Sequence, residues 1–242
     1  MLHSINTLPT HLVVGVRKSA TSWLWKQIEK RNDVSVSATK EIYFFDDNYD
    51  KGISWYKKHF APNKTIVDNT PDYFVPKVAK KIKDTLPHAN IMVVLRNPIQ
   101  RSFSHFKFSR YIQRLDLNVS FYEAWNQDKN FIRTKSLYDE ALLEFKYYFG
   151  EKFKIFLFDD LENKPHKFLN NYFNFLNIEP NSDKNLLEKW MPRADRNLKD
   201  YYVINADLKL NSIDKKMLID YYKESVNKTA NIIGRDLSSW LK

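Results

Sequence analysis

Short apolar runs alternate with amphipathic stretches along most of the chain. The apolar runs predict buried strands over residues 12–16, 65–68, 90–95 and 153–158. Apolar residues at helical spacing, together with Pro, Gly and Ser/Thr end signals, predict helices over residues 21–30, about 76–85, from 98 onward, 137–149 and 165–176. Strands that alternate with helices are typical of a parallel sheet covered by helices on both faces. The pattern therefore predicts an α/β fold.

The domain organisation follows from length and from the absence of internal boundaries. The chain has 242 residues, which suits one α/β domain and is too short for two full ones. No internal repeat, low-complexity run or linker divides it. We therefore predict a single domain over residues 1–242.

Composition excludes several classes of protein. A hydrophobic content of 43% and an aromatic content of 15% exclude an intrinsically disordered chain. There is no cysteine, so disulfides, thiolate metal sites and cysteine nucleophiles are excluded, and a reducing cytoplasm is favoured. No apolar run approaches the roughly 18 residues of a membrane span, and residues 1–10 lack a secretory signal pattern. We predict a cytoplasmic protein without a membrane span.

The charge balance points to an anionic partner. There are 39 basic and 29 acidic residues, which gives a formal net charge of +10. Nucleic acid, an anionic polysaccharide or a phosphorylated nucleotide would each suit such a surface. A basic nucleic-acid-binding domain is therefore one alternative, although no recognised nucleic-acid motif supports it.

The loop after the first predicted strand carries the clearest chemistry. Residues 15–22 join strand to helix and contain two cations, Arg17 and Lys18, and three hydroxyls, Ser19, Thr21 and Ser22. Backbone amides at the start of a helix, with cations and hydroxyls beside them, suit a phosphate-like anion. A Walker A loop needs a second Gly before a terminal Lys-Ser/Thr pair, but here the second Gly is absent and Lys18 falls mid-loop. Asp68 is only a weak match to a Walker B carboxylate. An atypical nucleotide kinase is thus a disfavoured alternative.

The motif Val-Gly-Val-Arg-Lys-Ser-Ala-Thr-Ser-Trp-Leu at 14–24 resembles the 5′-phosphosulfate loop of sulfotransferases that use 3′-phosphoadenosine-5′-phosphosulfate (PAPS). The resemblance is closest to the heparan-sulfate-type members and their bacterial relatives. Further segments resemble the family in the same order, at 40–46, 52–56, 69–74, 95–106, 137–140, 158–161 and 234–237. The resemblance implies a P-loop-kinase-like sulfotransferase fold and in-line transfer of a sulfuryl group without a metal.

The resemblance also implies residue roles at the donor. Lys18 would stabilise charge on the phosphate oxygen that leaves. The 5′ group would be held by the loop residues Arg17, Lys18, Ser19, Ala20, Thr21 and Ser22. The 3′-phosphate would be held by Arg96 and Ser104, and Arg101 is either a helper there or a solvated residue. Late arginines of the family cover the nucleotide, and Arg193 and Arg196 are the candidates in this chain.

Glu41 matches the position of the family's general base. Its neighbours Ile42 and Phe44 are apolar, and a carboxylate among apolar side chains is expected to have a raised pKa. The alternative is a surface glutamate paired with Lys40. His105 is a second candidate base, but it lies inside the 3′-phosphate motif, so we expect it to be a packing or surface residue.

The acceptor is the least defined part of the reaction. The kind of relative favours a glycan, sulfated on a hydroxyl or an amine with release of 3′-phosphoadenosine-5′-phosphate (PAP). Two positions depart from the heparan-type pattern, with Tyr43 where those members commonly have His and Asn69 where they often have Lys. These departures argue against a heparan-like acceptor. The sequence indicates no oligomeric state.

Overall fold

A computed structural model describes residues 7–180 and 203–242 of the chain. These residues form two compact units. The first contains residues 7–95 and 143–180, and the second contains residues 96–142 and 203–242. The single-domain organisation predicted for residues 1–242 stays a prediction.

The first unit is built on a five-stranded parallel sheet. Its strands are β1 (His11–Gly15), β2 (Val34–Val36), β3 (Thr65–Asn69), β4 (Asn90–Leu95) and β5 (Phe153–Leu157). The strand order is β2-β3-β1-β4-β5, and every neighbouring pair is parallel. In the central pairing, Val13 lies opposite Asn69 of β3 and Met92 of β4. The predicted α/β fold with a parallel sheet flanked by helices is confirmed.

The described helices follow the sheet in chain order. They are α1 (Thr21–Lys26), α2 (Gly52–Lys57), α3 (Val78–Thr85), α4 (Pro98–Tyr111), α5 (Phe121–Asn126), α6 (Asp139–Phe149), α7 (Phe158–Asn163), α8 (Pro165–Leu176) and α9 (Ser212–Ile233). The predicted helix over 21–30 is too long, because α1 ends at Lys26. Residues 27–30 continue as tighter turns, in which the Ile28 amide donates to the Trp25 carbonyl at 3.1 Å.

Side chains of the sheet alternate between two covered faces, as the strand period requires. On one face, Val13, Val67, Met92 and Val94 pack with Leu24 of α1 and with the apolar stripe of α8. That stripe consists of Phe168, Leu169, Tyr172, Phe173 and Leu176. On the other face, Asp68 of β3 accepts a hydrogen bond from Tyr56 of α2. Both faces are covered, so the carboxyl end of the sheet is left for chemistry.

The second unit is organised around α4 and α9. The Asn97 side chain caps α4 by accepting from the Ile99 and Gln100 amides at 2.9 and 3.3 Å, and it donates to the Trp240 carbonyl at 3.2 Å. Tyr222 of α9 is fully buried, and its hydroxyl accepts from the Trp125 indole at 3.1 Å. The Asn97 contacts fix the start of α4, the helix that carries Ser104.

Candidate functional site

The candidate donor loop leaves β1 at Gly15 and enters α1 at Thr21. Gly15 is needed because the neighbouring turn passes very close. A Cβ atom there would lie 2.8 Å from Phe74 Cβ and 3.0 Å from the Pro71 carbonyl oxygen. Lys18 and Ala20 adopt left-handed backbone, with φ values of 77° and 65°. The loop is therefore tightly curled, and its Ser19 amide donates to the Val16 carbonyl at 3.2 Å.

Two polar atoms of this loop are buried without a hydrogen-bond partner among the described residues. They are the Ser19 hydroxyl oxygen and the Arg17 Nε. Leaving such groups unsatisfied costs free energy, so they indicate where a ligand would supply the missing partner. A donor nitrogen and a hydroxyl suit the oxygens of an anion such as a phosphosulfate. The residues of the loop thus fit the anionic donor that the sequence predicted.

The remaining loop residues differ in exposure. Lys18, Ala20 and Ser22 are partly exposed, whereas Thr21 is buried at the start of α1. The Thr21 carbonyl accepts a hydrogen bond from the Asn69 amide group at 2.9 Å. Asn69 therefore ties the end of β3 to the start of α1.

Arg17 is the centre of a charged cluster in the first unit. Its Nη2 donates to a carboxylate oxygen of Asp72, to the Tyr43 hydroxyl at 3.0 Å and to Glu41 Oε2 at 3.4 Å. Burial alone would lower the pKa of Arg17, but the charges of Asp72 and Glu41 outweigh it and raise the pKa above its ordinary value. The Arg17 side chain is only 13% exposed, so Arg17 is not a solvated surface residue.

Glu41 lies in the same cluster and carries a charge. Lys40 Nζ is 2.8 Å from its Oε1, and the Tyr43 hydroxyl donates to its Oε2. Burial raises the pKa of Glu41, but Lys40, Tyr43 and Arg17 together lower it below its ordinary value. The raised pKa that we expected from the apolar neighbours is wrong. Lys40 does pair with Glu41, but the carboxylate is only 23% exposed and has two further partners, so it is not a simple surface pair.

Tyr43 and Asp72 belong to this cluster, and sequence reasoning did not assign either of them a role. Burial and then Glu41 raise the pKa of Tyr43, so its phenol stays protonated and acts as a donor. Asp72 is 6% exposed and follows the end of β3 by three residues. Because β1 and β3 are parallel neighbours, the segments after their carboxyl ends meet at one edge. That topology could have linked Asp72 with Arg17.

The candidate 3′-phosphate residues lie in the second unit. Arg96 directly follows β4, and its carbonyl accepts from the Tyr138 hydroxyl at 2.8 Å. Ser104 lies on α4 and is 9% exposed. The Asn97 cap fixes the segment between them. Their predicted role toward a 3′-phosphate stays a prediction.

Comparison with known proteins identifies the family. A family model described as the sulfotransferase domain matches residues 8–229. The chain belongs to this sulfotransferase family. The resemblance proposed from the sequence motifs is confirmed.

Individual relatives are similar over parts of this sulfotransferase chain. The membrane-associated sulfotransferase kil1 of Dictyostelium discoideum is 37% identical over 120 residues, which cover 47% of the chain and 25% of that protein. The human heparan sulfate glucosamine 3-O-sulfotransferase 5 is 29% identical over 194 residues, which cover 73% of the chain and 55% of that protein. The chain thus matches only about a quarter to a half of the length of these relatives.

A solved structure shares the fold. A sulfotransferase from Alicyclobacillus acidocaldarius superposes with a TM-score of 0.77, at 20% sequence identity, over 97% of this chain and 99% of its own. This similarity supports the P-loop-like sulfotransferase fold that the sequence predicted.

Two motif residues of the sulfotransferase turn out to be internal. Arg101 has no exposed surface, and it donates to the Ile132 carbonyl at 2.7 Å and to the Ser136 hydroxyl at 2.5 Å. The alternative of a solvated Arg101 is wrong. His105 is 4% exposed, with its Nδ1 3.4 Å from Arg101 Nη1. His105 is therefore a packing residue, as expected.

The surroundings of Asp68 differ from those of a metal-binding Walker B carboxylate. It accepts hydrogen bonds from the hydroxyls of Tyr56, Thr70 and Tyr73 at 2.6, 2.7 and 3.2 Å. Burial raises the pKa of Asp68 to about 6, although the three hydroxyl donors lower it in part. Its oxygens are occupied by protein donors.

Three other predictions concern the late arginines, a membrane span and a metal ion. Arg193 and Arg196 lie outside the described residues. None of the helices in residues 7–180 and 203–242 combines the length and apolar composition that a membrane span requires. Within those ranges, no His, Asp and Glu side chains are grouped so that they could hold a metal ion.

Proposed function

We propose that this sulfotransferase moves a sulfuryl group from PAPS to a hydroxyl or amine of a glycan and releases PAP. Family membership supports the transfer itself. Similarity to a heparan sulfate glucosamine 3-O-sulfotransferase supports a glycan acceptor. Tyr43 and Asn69 differ from the heparan-type pattern, so the proposal does not extend to heparan itself.

One observation carries the proposal. The candidate base Glu41 is held as a charged carboxylate beside Arg17, which belongs to the loop with the unsatisfied Ser19 hydroxyl. A proton acceptor and an anion-binding loop are thus adjacent in one unit. Sulfuryl transfer needs both, since the acceptor loses a proton while the donor is a polyanion.

We assign the roles in the first unit as the resemblance to the family implies. The bound donor supplies the sulfuryl group. Glu41 accepts the proton of the acceptor hydroxyl as its oxygen bonds to sulfur. The electron pair of the broken sulfur–oxygen bond stays on the phosphate oxygen of PAP, and Lys18 stabilises that charge. Donor oxygens are held by the loop residues Arg17, Ser19, Ala20, Thr21 and Ser22.

In the second unit, Arg96 and Ser104 take the 3′-phosphate. A guanidinium offers a planar fork of donors, and a hydroxyl adds one more, which suits a phosphate dianion. This assignment predicts that the protein distinguishes PAP from AMP, because only PAP carries the 3′-phosphate. No residue of the proposed mechanism requires a metal ion.

Nucleotide binding tests the proposal directly. PAP at about 100 times its dissociation constant should stabilise the protein by roughly 2.7 kcal/mol, which raises Tm by about 5–10 °C. Arg96→Ala should weaken the binding of PAP by about 1.5–3 kcal/mol and the binding of AMP far less. Arg114→Ala, which removes an exposed arginine of the same unit, is the matched control.

Three results would count against the proposal. If Arg96→Ala weakens the binding of PAP and of AMP equally, Arg96 does not bind the 3′-phosphate. Stabilisation by ATP with Mg²⁺, but not by PAP, would favour the nucleotide-kinase alternative. PAPS turnover with a panel of glycans should also persist in EDTA, and its loss with recovery on added Mg²⁺ would contradict the metal-free mechanism.

A further inference from the structure

The segment that carries Glu41 has an unusual backbone. Glu41 has a φ of 71° and Tyr43 a φ of 53°, so two side-chain-bearing residues adopt left-handed backbone within three positions. This conformation is unfavourable for residues with a Cβ atom and persists only where the surroundings enforce it. The Glu41 turn, residues 41–44, must therefore be held by its neighbours.

Two hydroxyl groups hold the amides of this turn. The Ile42 amide donates to Thr70 Oγ1 at 3.2 Å, and the Phe44 amide donates to the Tyr73 hydroxyl oxygen at 2.7 Å. On the carbonyl side, Asn48 Nδ2 donates to the Ile42 and Tyr43 carbonyls at 3.0 and 3.1 Å. Thr70 and Tyr73 are fully buried, so water does not substitute for these two bonds.

Asp68 determines how the two hydroxyls are oriented. Thr70 donates its proton to Asp68 Oδ1 and Tyr73 donates its proton to Asp68 Oδ2. Because each proton is committed to the carboxylate, each hydroxyl oxygen is left to accept from the turn. Tyr56 also donates to Asp68 Oδ2, but among the described residues it makes no hydrogen bond with the turn.

We infer that Thr70 and Tyr73 are positioning residues for Glu41, with Asp68 orienting their hydroxyls. They fix the two amides that flank Tyr43 and so hold the left-handed turn that points the Glu41 carboxylate into the Arg17 cluster. This inference rests on the proposed function of Glu41 as the base. A displacement of about 1 Å at a reacting group is enough to lower a rate strongly.

Two tyrosines provide a matched test. Tyr73→Phe and Tyr56→Phe each remove one hydroxyl that donates to Asp68 Oδ2, and both rings are fully buried. Of these two tyrosines, only Tyr73 accepts a hydrogen bond from the Glu41 turn among the described residues. Tyr73→Phe should lower kcat by about 10-fold or more with little change in PAP affinity, while Tyr56→Phe should stay within about 2-fold. Thr70→Val should lower kcat as Tyr73→Phe does. Thr70→Ser keeps the hydroxyl, so its turnover should stay close to that of the unchanged protein.

Hydrogen exchange gives a second readout that does not depend on activity. Amides of residues 42–44 should exchange faster in Tyr73→Phe than in Tyr56→Phe. Equal exchange, or equal loss of kcat in the two variants, would overturn the inference. Glu41→Gln, measured in parallel, separates the test of the proposed base from the test of the positioning residues. If its turnover is normal, the proposed base is wrong, and the exchange comparison still decides whether Thr70 and Tyr73 hold the turn.

Discussion

Two motif arginines of this sulfotransferase are withdrawn from solvent, Arg17 in large part and Arg101 completely, and their partners differ in kind. Arg17, in the first unit, is surrounded by side chains of acidic character, namely Asp72, Glu41 and the phenol of Tyr43. Arg101, in the second unit, is bound mainly by backbone carbonyls of the segment around Ile132 and by Ser136. The Arg17 guanidinium faces two carboxylates and a neutral phenol, and the Arg101 guanidinium faces backbone carbonyls and a serine hydroxyl.

The difference separates a binding arginine from a structural one. Backbone carbonyls are fixed by the fold, so the partners of Arg101 belong to the folded chain itself. Carboxylates offer Arg17 the same geometry as phosphate or sulfate oxygens, so an anionic ligand can share or replace them. Arg17 also retains a buried Nε with no partner among the described residues, which Arg101 does not. The partners of a buried arginine are thus more informative than its burial.

The largest expected effect concerns Glu41, the carboxylate beside Arg17. Glu41→Gln keeps the shape of the side chain but cannot accept a proton. The turnover rate should fall by roughly 10²–10⁴, while PAP affinity and Tm change little. Steady-state kinetics with PAPS and a turned-over acceptor measure this. Asp47→Asn, an exposed acid of the same segment, is the control. Near-normal turnover in Glu41→Gln would show that Glu41 is not the base.

The same substitution at the two arginines should have opposite consequences. Arg101→Lys leaves at least two of its acceptors unpaired, which should lower the free energy of unfolding by about 2 kcal/mol or more, or Tm by about 4–8 °C. Arg17→Lys keeps a positive charge near Asp72 but loses the fork of donors, so PAPS turnover should fall about 10-fold with little loss of stability.

Denaturation and PAPS kinetics on both lysine variants check this comparison. The contrast fails if Arg17→Lys is the less stable protein and Arg101→Lys the less active one.

The smallest expected effect is a change in pH dependence. Lys40 contributes to holding the pKa of Glu41 below its ordinary value, so Glu41 stays charged at mildly acidic pH. Lys40→Met removes this contribution and should raise the pKa. Because the base works only when charged, the acidic limb of the kcat/KM profile should move to higher pH, with little change near pH 7. Lys80→Met, which breaks a pair with Asp84 on the surface, should leave the limb in place.

Most of the sheet could be predicted from the sequence, because its strands are continuous apolar runs. The limits of β4 were predicted without error, and those of β1, β3 and β5 to within one residue. β2 has only three residues, one of which is a buried serine, so its pattern was too short to be recognised. The helix α9 has a mixed surface over 22 residues and was not predicted.

The residues of the candidate site could be proposed from the sequence, but their charge interactions could not. The loop and Glu41 were found from motifs, and the structure brings Arg17 and Glu41 together. The pKa of Glu41 was predicted in the wrong direction because the apolar neighbours were given more weight than Lys40 and Tyr43, which lower the pKa most. Its charge is stabilised by Arg17, 24 residues away in the chain, as well as by nearby Lys40 and Tyr43. Asp72 escaped notice because its partner Arg17 is 55 residues away in the chain.

The strand order has a consequence for association between copies of the chain. Sheets join to one another through edge strands, and the edges here are β2 and β5. β2 offers only three residues of backbone, and β5 carries the exposed charge of Lys154 at its second position. Short and charged edges discourage intermolecular strand pairing. The strands that lead into Arg17 and Asp72 lie inside the sheet, so such pairing would not begin on the strands that support the candidate site.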